Sequence, residues 1–480
     1  KEIKAKKFSF IHFNDVYNIE NSEKGGAAKF VYMMKKILAE DKNCKVLFSG
    51  DILGGSAMST IFKGEQMIPV IDELGIHVSC FGNHEFDFGI EKASSLLKSI
   101  KKPFPWLLSN LTININDANN IFSKANKDSI VQEYYIQEYT DEGVKVKVGY
   151  MGLIEKDWLS CSPTFFNSSL DFQYEDFNIA AKRIIKTLKE QGCDLIITLN
   201  HMREPNNLLL AKENPDIDLI LSGHDHFILN KTINQKTNYM VSGTDFGNFT
   251  YSCVTIKQGN SEQDYREEPD SVIEKEYISE NGYSVTNTIK DRINITTKLF
   301  SIESTTPQDE DTKIKVNHWY SQLESSFSKE LFFLHSAVDT RSSYIRKQSS
   351  SIGNFITDLL RLYFNVDVCL VNSGQIRNDS VIERGVFDYG TLQKMFPFCP
   401  KLTKLRVKSK SLKRTLEIAI RKYPSLSGSF PCISGTCFEA EVHDNATEDE
   451  RVKIKSMSLS LSEKDIDKNK DKDIETELVL

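Results

Sequence analysis

Five short apolar runs in the first half of this chain each stop at a cluster of Asp, Asn or His: "FSFIHFNDVYN", "KVLFSGD", "VSCFGNHEFD", "DLIITLNH" and "IDLILSGHDH". Apolar runs of this length, closed by turn residues, read as buried strands. Between them, "AAKFVYMMKKILAE", "MIPVIDELG" and "FNIAAKRIIKTLKEQG" read as helices. The alternation predicts an α/β layered domain with its chemistry at the strand ends. One such cluster is adequately explained as a turn after a strand. Five of the same composition are not, because buried and unpaired Asp and His side chains are costly. Together they supply Asp15, Asp51, Asn83, His84, Asp87, His201, His224 and His226. Imidazole and carboxylate donors suit zinc, manganese or iron, and a carboxylate placed between two ions bridges them.

At 480 residues the chain exceeds one ordinary core, and two domains are expected. The strand–helix pattern weakens between about 257 and 335, first into the polar stretch "KQGNSEQDYREEPD" and then into the helical "DTKIKVNHWYSQLESSFSKEL". A second α/β unit follows, with the helix "SSIGNFITDLLRLYF" and the strand "VDVCLVNSG". The expected divisions are 1–300, a linker helix over 301–335, and 336–480. The tail "LSEKDIDKNKDKDIETELVL" mixes both charges and reads as solvated.

The 60 basic and 67 acidic residues leave a net charge of -7, which gives no global positive field for a nucleic-acid backbone. No apolar run approaches the roughly 20 residues that span a bilayer. The nine cysteines are scattered and form no C-x-x-C, so neither a disulfide framework nor a zinc knuckle is expected. That favours a reducing, cytoplasmic compartment. Sequons at Asn110, Asn230 and Asn294 would suit a secreted or lumenal chain, and a start at Lys1 leaves any leader out of view.

The order D-x-(H), GD, GNHE-x-D, NH and GH-x-H resembles the calcineurin-like metallophosphoesterases, and among them the two-domain 5′-nucleotidase family. The resemblance covers nearly the whole chain, and "GNHEFDFG" together with "SGHDH" is highly specific. It implies an N-terminal layered αββα domain, joined by a linker helix to a smaller α/β substrate-binding domain. It implies two divalent metal ions, of zinc, manganese or iron, bridged by Asp51. Asp15 and His226 would complete one site; Asn83, His201 and His224 would complete the other. His84 matches the family's catalytic histidine, which stabilises transition-state charge or protonates the leaving oxygen. Asp87 would orient its ring, the plainer reading of Asp87 being a cap on the following helix. Tyr17 stands where the family has a metal-binding histidine. A neutral tyrosine is a poor zinc ligand, so the first ion would be held more weakly or complete its shell with water, or a tyrosinate would take trivalent iron.

In the second half, "VNSGQIRND", "IRKQSSSIGNFITD" and "MFPFCPKL" resemble the family's substrate loops. By that match Arg346, Asn372 and Arg377 contact phosphate or ribose, for which the planar guanidinium fork is well suited, and Phe398 stacks on a base. Ser349 replaces the family's helix-start glutamate. The family's second aromatic and its G-G-D-G type turn fall beyond Leu480, so a sugar phosphate competes with a nucleotide as substrate. The implied activity is a metal-dependent phosphatase acting on a nucleoside monophosphate or similar small phosphate ester. The alternatives are a sugar-phosphate phosphatase, or an inert scaffold that keeps the fold.

Overall fold

A computed structural model describes residues 5–20, 25–141, 143–161, 171–257, 284–290, 292–396, 402–443, 447, 451–459 and 475–479. The chain divides into two units, Lys1–Leu323 and Glu324–Leu480.

The first unit holds two large sheets. In one, the strand Lys6–Phe13 pairs antiparallel with Asn248–Ile256 and parallel with Lys45–Phe48. Val78–Cys80, Trp106–Leu107 and Val131–Gln132 continue the parallel side. In the other, Val144–Ile154, Leu195–His201, Leu219–Gly223 and Thr237–Ser242 run parallel at the centre. Antiparallel strands Tyr134–Asp141 and Ile228–Ile233 close its edges.

Successive side chains of a strand point to opposite faces, and that sorts the apolar residues into layers. Phe8 and Phe10 share one buried cluster with Leu47 and Val78 of their own sheet and with Val148, Tyr150, Ile197 and Leu221 of the other. Phe13 faces the opposite way, with its ring 5.2 Å from that of Phe30 on the helix Ala27–Glu40. On the far side of the second sheet, Met151, Leu153 and Ile220 pack under the helices Phe177–Glu190 and Glu204–Glu213 through Ile184, Leu188 and Leu210. The result is a helix–sheet–sheet–helix sandwich, as expected.

One stretch of the first unit departs from the sequence reading. Within the region that seemed to lose its pattern, Ser284–Ile289 and Ile293–Ser301 form an antiparallel pair that extends the first sheet. Ile293, Ile295, Thr297 and Leu299 are buried on one face. Thr and Asn on the other face hid the alternation.

In the second unit, Lys404–Lys408, Glu475–Val479, Val368–Asn372 and Pro431–Ser434 form a four-stranded sheet, so the end of the tail that reads as solvated is instead an inner strand with Leu478 buried. The helix Ser351–Phe364 is capped by Ser350, whose hydroxyl accepts the Gly353 N–H at 3.2 Å. Ile345, Ile352, Phe387, Met395 and Cys432 form its core. Cys44, Cys80, Cys193, Cys253, Cys369, Cys432 and Cys437 are free, and among the described residues no helix is long and apolar enough to cross a membrane.

Candidate active site

All the polar clusters lie just past the C-terminal ends of the parallel strands, where open α/β sheets place their ligands. Asp15, Asp51 and His224 reach their positions with backbone φ of 53°, 69° and 77°. Left-handed conformations at non-glycine residues cost energy and persist only where the surroundings impose them. Here the Asp15 N–H donates to the Gly50 carbonyl at 3.0 Å, and the Asp15 Oδ2 accepts the His224 N–H at 2.9 Å. Glu85, buried, accepts the N–H groups of Gly82, Asp51, Ile52 and Leu53 at 2.6, 2.9, 2.7 and 3.2 Å. It binds the Asp51 turn to the "GNHE" turn. Gly82 is required by this approach, since a Cβ there would lie 2.2 Å from Asp51 Oδ1.

On one side of Asp51 stand His201, Asn83 and His224. His201 donates its Nδ1–H to the Ser49 carbonyl at 2.8 Å, which turns Nε2 to within 3.2 Å of Asp51 Oδ2. Asn83 Oδ1 is buried and has no hydrogen-bond partner, and His201 Nε2 faces only the carboxylates. Atoms disposed in this way, beside a buried carboxylate, fit an ion bound through one carboxylate oxygen, one amide oxygen and two imidazoles. His224 Nε2 lies 3.5 Å from the buried Glu155, and its ring centroid is 5.0 Å from that of His201.

On the other side stand Asp15, His226 and Tyr17. The Tyr17 hydroxyl oxygen is 2.9 Å from Asp15 Oδ1, 3.0 Å from Asp51 Oδ2 and 3.0 Å from His226 Nε2. Its ring is buried and lies edge-on to that of His84, at 5.5 Å. His84 Nδ1 is 2.6 Å from Asp87 Oδ2, and the His84 backbone N–H donates to Asp51 Oδ1 at 2.8 Å. Asp87 is therefore engaged with His84, while the next helix, Ile90–Lys98, begins at Gly89 without a side-chain cap.

The electrostatics show how strongly this pocket draws positive charge. Burial disfavours a charged His201, yet Asp51 and Asp15 outweigh it and push its pKa up to about 10. His84, likewise against burial, is raised to about 9 by Asp51 and by Asp87. Burial also works against an ionised Asp51, but His201 and His84 hold it well below the usual carboxylate range. Burial, then Asp51 and Asp15, push the Tyr17 phenol far above its ordinary value, so without a cation it stays neutral.

Sequence reasoning assigned no role to Glu85, Glu155, Arg203 or Asp245. Glu155 accepts the Arg203 N–H at 3.0 Å and the Asn206 side-chain amide at 2.7 Å. It directly follows Ile154, which pairs with His201, so "GLIEKD" is a sixth polar strand end of the same kind. Asp245 accepts the N–H groups of Tyr17 and Asn18 at 3.3 and 2.8 Å, fixing the loop that carries Tyr17.

In the second unit, the Arg346 carbonyl accepts the Ser427 N–H at 3.4 Å and the Asn372 amide donates to the Gly428 carbonyl at 3.3 Å. Those two residues thus meet one short segment. The Arg346 Nε is buried without a hydrogen-bond partner. The Arg377 N–H donates to the Met395 carbonyl at 2.9 Å. Phe398 lies outside the described residues.

Comparison with known families accounts for both units. The calcineurin-like phosphoesterase model matches residues 8–227, and the model of the 5′-nucleotidase C-terminal domain matches residues 333–471. The chain belongs to the two-domain 5′-nucleotidase family of calcineurin-like phosphoesterases. Bovine 5′-nucleotidase is 24% identical over 456 residues, covering 89% of this chain and 74% of its own length. The endonuclease YhcR of Bacillus subtilis is 23% identical over 407 residues, covering 81% of this chain and 29% of that protein. The structure of Haemophilus influenzae NAD nucleotidase has the same fold, with a TM-score of 0.63 at 19% identity over 99% of this chain and 89% of that one. As a member of this 5′-nucleotidase family the protein is a hydrolase, and the inert-scaffold reading is set aside.

Proposed function

We propose that the protein hydrolyses phosphomonoesters in a metal-dependent reaction, with a nucleoside monophosphate as the preferred substrate class. The observation that carries this reading is the buried cluster of Asp15, Asp51 and His201, whose ligand atoms lie within 4.8 Å of one another, beside the His84–Asp87 pair. Asp51, Asn83, His201 and His224 would hold one ion, and Asp51, Asp15 and His226 a second. Such ions clamp phosphate oxygens and lower the pKa of a bound water.

The remaining steps belong to the chain. Asp87 accepts from His84 Nδ1, which fixes the ring and presents Nε2 to the site. A proton at Nε2 is then positioned to neutralise charge on the phosphoryl oxygens or to pass to the leaving alkoxide. Asp51 and Asp15, held by backbone donors, keep their geometry without reorganising. Arg346, Asn372 and Arg377 supply groups suited to phosphate and ribose, and the net charge of -7 favours small esters over a polynucleotide.

The test is phosphate release from AMP, sugar phosphates and an aryl phosphate, with an aryl phosphodiester and single-stranded DNA in the same panel. Release from AMP above the others, reduced about 100- to 10,000-fold by His84→Ala, is expected. Preference for a sugar phosphate would move the substrate class, and cleavage of the diester or DNA alone would overturn the phosphomonoesterase reading.

A further inference from the structure

The second unit carries a segment whose charge runs against the rest of the chain. Nine of the 60 basic residues but only one of the 67 acidic ones fall within "KLTKLRVKSKSLKRTLEIAIRK", residues 401–422. That is a net +8, nine against one, in one short stretch of a chain whose total is -7. The strand Lys404–Lys408 and the helix Ser409–Ile420 are built from it.

The strand alone makes no site. It is the outermost strand of its sheet, where lysines guard an open edge against pairing with other chains. Its register also sets Arg406 opposite Glu477 and Lys408 opposite Glu475.

The helix presents a different case. Leu412 and Leu416 are buried one turn apart and pack with Val368, Leu370 and Leu478. Two residues along a helix turn it by about 200°, so Lys410, Arg414 and Ile418 form the row on the opposite side, and Lys422 extends it. All four are exposed. The one acid of the segment, Glu417, is 3.5 Å from Arg414 and turns inward, where it accepts the Ile454 N–H at 3.2 Å. Ile418 is 44% exposed in the middle of the basic row, and Tyr423 and Leu426, in the turns that follow, are 42% and 51% exposed.

A basic row on a surface helix is ordinarily a solvated face, and one exposed apolar residue needs no explanation. Three large ones interleaved with cations do. Cations beside exposed aliphatic and aromatic groups are the composition of helices that lie on anionic membranes: Lys and Arg attract the headgroups, the aliphatic groups enter the boundary, and Tyr sits at headgroup level. A nucleic acid would use the cations but gives Ile418 and Leu426 nothing to bury against.

We propose that the outer face of the helix Ser409–Ile420, with the turns through Leu426, docks the protein on a membrane surface that carries anionic lipids. The inner face of the helix is committed to the core, so the helix lies on the surface without spanning it. The inference goes beyond the hydrolytic reading and does not depend on it.

The experiment is sedimentation of the full chain with vesicles of phosphatidylcholine alone and of phosphatidylcholine with phosphatidylserine, at low and high salt, with binding of single-stranded DNA measured beside it. The expected result is binding to the phosphatidylserine vesicles that weakens as salt rises, with none to phosphatidylcholine alone. Each Lys or Arg near an anionic leaflet strengthens binding about fivefold, so Lys410→Glu, Arg414→Glu and Lys422→Glu together should weaken it by more than about 100-fold. Ile418→Ser with Leu426→Ser should weaken it several-fold with the charges intact. Circular dichroism checks that each variant is folded, and should one fail, the lipid and salt series on the wild type decides. No binding to phosphatidylserine vesicles, equal binding to both lipids, or binding unchanged in the charge variant would each overturn the proposal. Binding to DNA without binding to vesicles, or an apolar variant that binds like the wild type, would overturn the lipid assignment in favour of a polyanion in solution.

Discussion

Glu85 Oε2 accepts the backbone N–H of Asp51 at 2.9 Å, so a carboxylate that touches no reacting group sets the position of the one shared by the two proposed ion sites. The same side chain takes the N–H groups of Gly82, Ile52 and Leu53. Glu85→Gln swaps one acceptor oxygen for a donor facing those donors. Leaving buried N–H groups unpaired costs about 1–3 kcal/mol. Denaturant unfolding should show at least that loss, and metal titration should show weaker binding. Unchanged stability would mean that the turn is held by other contacts.

His84 and Asp87 are expected to separate by role. His84→Ala should lower kcat about 100- to 10,000-fold with metal content unchanged, since its ring is not among the proposed ligand atoms. Asp87→Asn keeps a hydrogen-bonding group beside Nδ1 at 2.6 Å and should cost less. A fall in bound metal in the His84 variant, measured by elemental analysis, would make His84 a structural part of the metal site instead.

How much of this was readable in the chain depends on what each residue needed. The strand-end motifs place Asp15, Asp51, Asn83, His201, His224 and His226 because each is the next residue, or nearly so, after an apolar strand, and parallel strands align their ends. Glu85 lay inside a quoted motif, but its four N–H partners come from two loops brought together only in three dimensions. Glu155 looked like an ordinary turn residue after "VGYMGLI". Tyr17 was visible as a departure, yet its effect depended on where one oxygen atom lands, which no spacing rule gives. The strands Ser284–Ile289 and Ile293–Ser301 were lost because Thr and Asn fill their outer face.

Burial of His12 makes a pH prediction independent of the site. Its ring is fully buried, with Nδ1 2.7 Å from the Ser242 hydroxyl and Nε2 2.9 Å from that of Ser49. Burial holds its pKa down to about 3. Below the unfolded value near 6.5 the unfolded chain takes up a proton that the folded ring refuses, so stability is present at neutral pH and falls as pH drops toward 3. The contribution is about 1.4 kcal/mol per pH unit in that window. Unfolding of the wild type between pH of about 6 and 4 should be steeper in pH than that of His12→Asn by up to this amount. Equal slopes would show that the ring is protonated in the fold.

Removal of metal should destabilise the first unit far more than the second. Ions that bind only the folded site stabilise it by about 2.7 kcal/mol at a concentration 100 times Kd. Asp15, Asp51 and His201 are buried and close enough for their ligand atoms to lie within 4.8 Å of one another, so without an ion the two carboxylates are offset only by a protonated His201, which burial disfavours. Calorimetry with and without a chelator should show the transition of the first unit moving down. No shift would mean that the ions contribute nothing to the folded state.

Gly55 offers a way to test the seat of Tyr17 without altering Tyr17. Alanine there is strained by the positive φ and places its methyl 2.5–2.6 Å from the Tyr17 ring atoms Cδ1 and Cε1. The backbone part of that cost is of order 1–3 kcal/mol and does not depend on the neighbour. The steric part does. In a Tyr17→His background the shorter side chain leaves the ring position partly open, so Gly55→Ala should cost less there than in the wild type. Contacting residues give coupling energies of roughly 0.5–3 kcal/mol, which a double-mutant cycle on unfolding free energy resolves. Gly55→Ala alone should also displace the phenolic oxygen from Asp15 and Asp51 and weaken metal binding on the Asp15 and His226 side, leaving the Asn83, His201 and His224 side unaffected. Additive costs, with metal binding unchanged, would mean that the Tyr17 ring does not rest on Gly55.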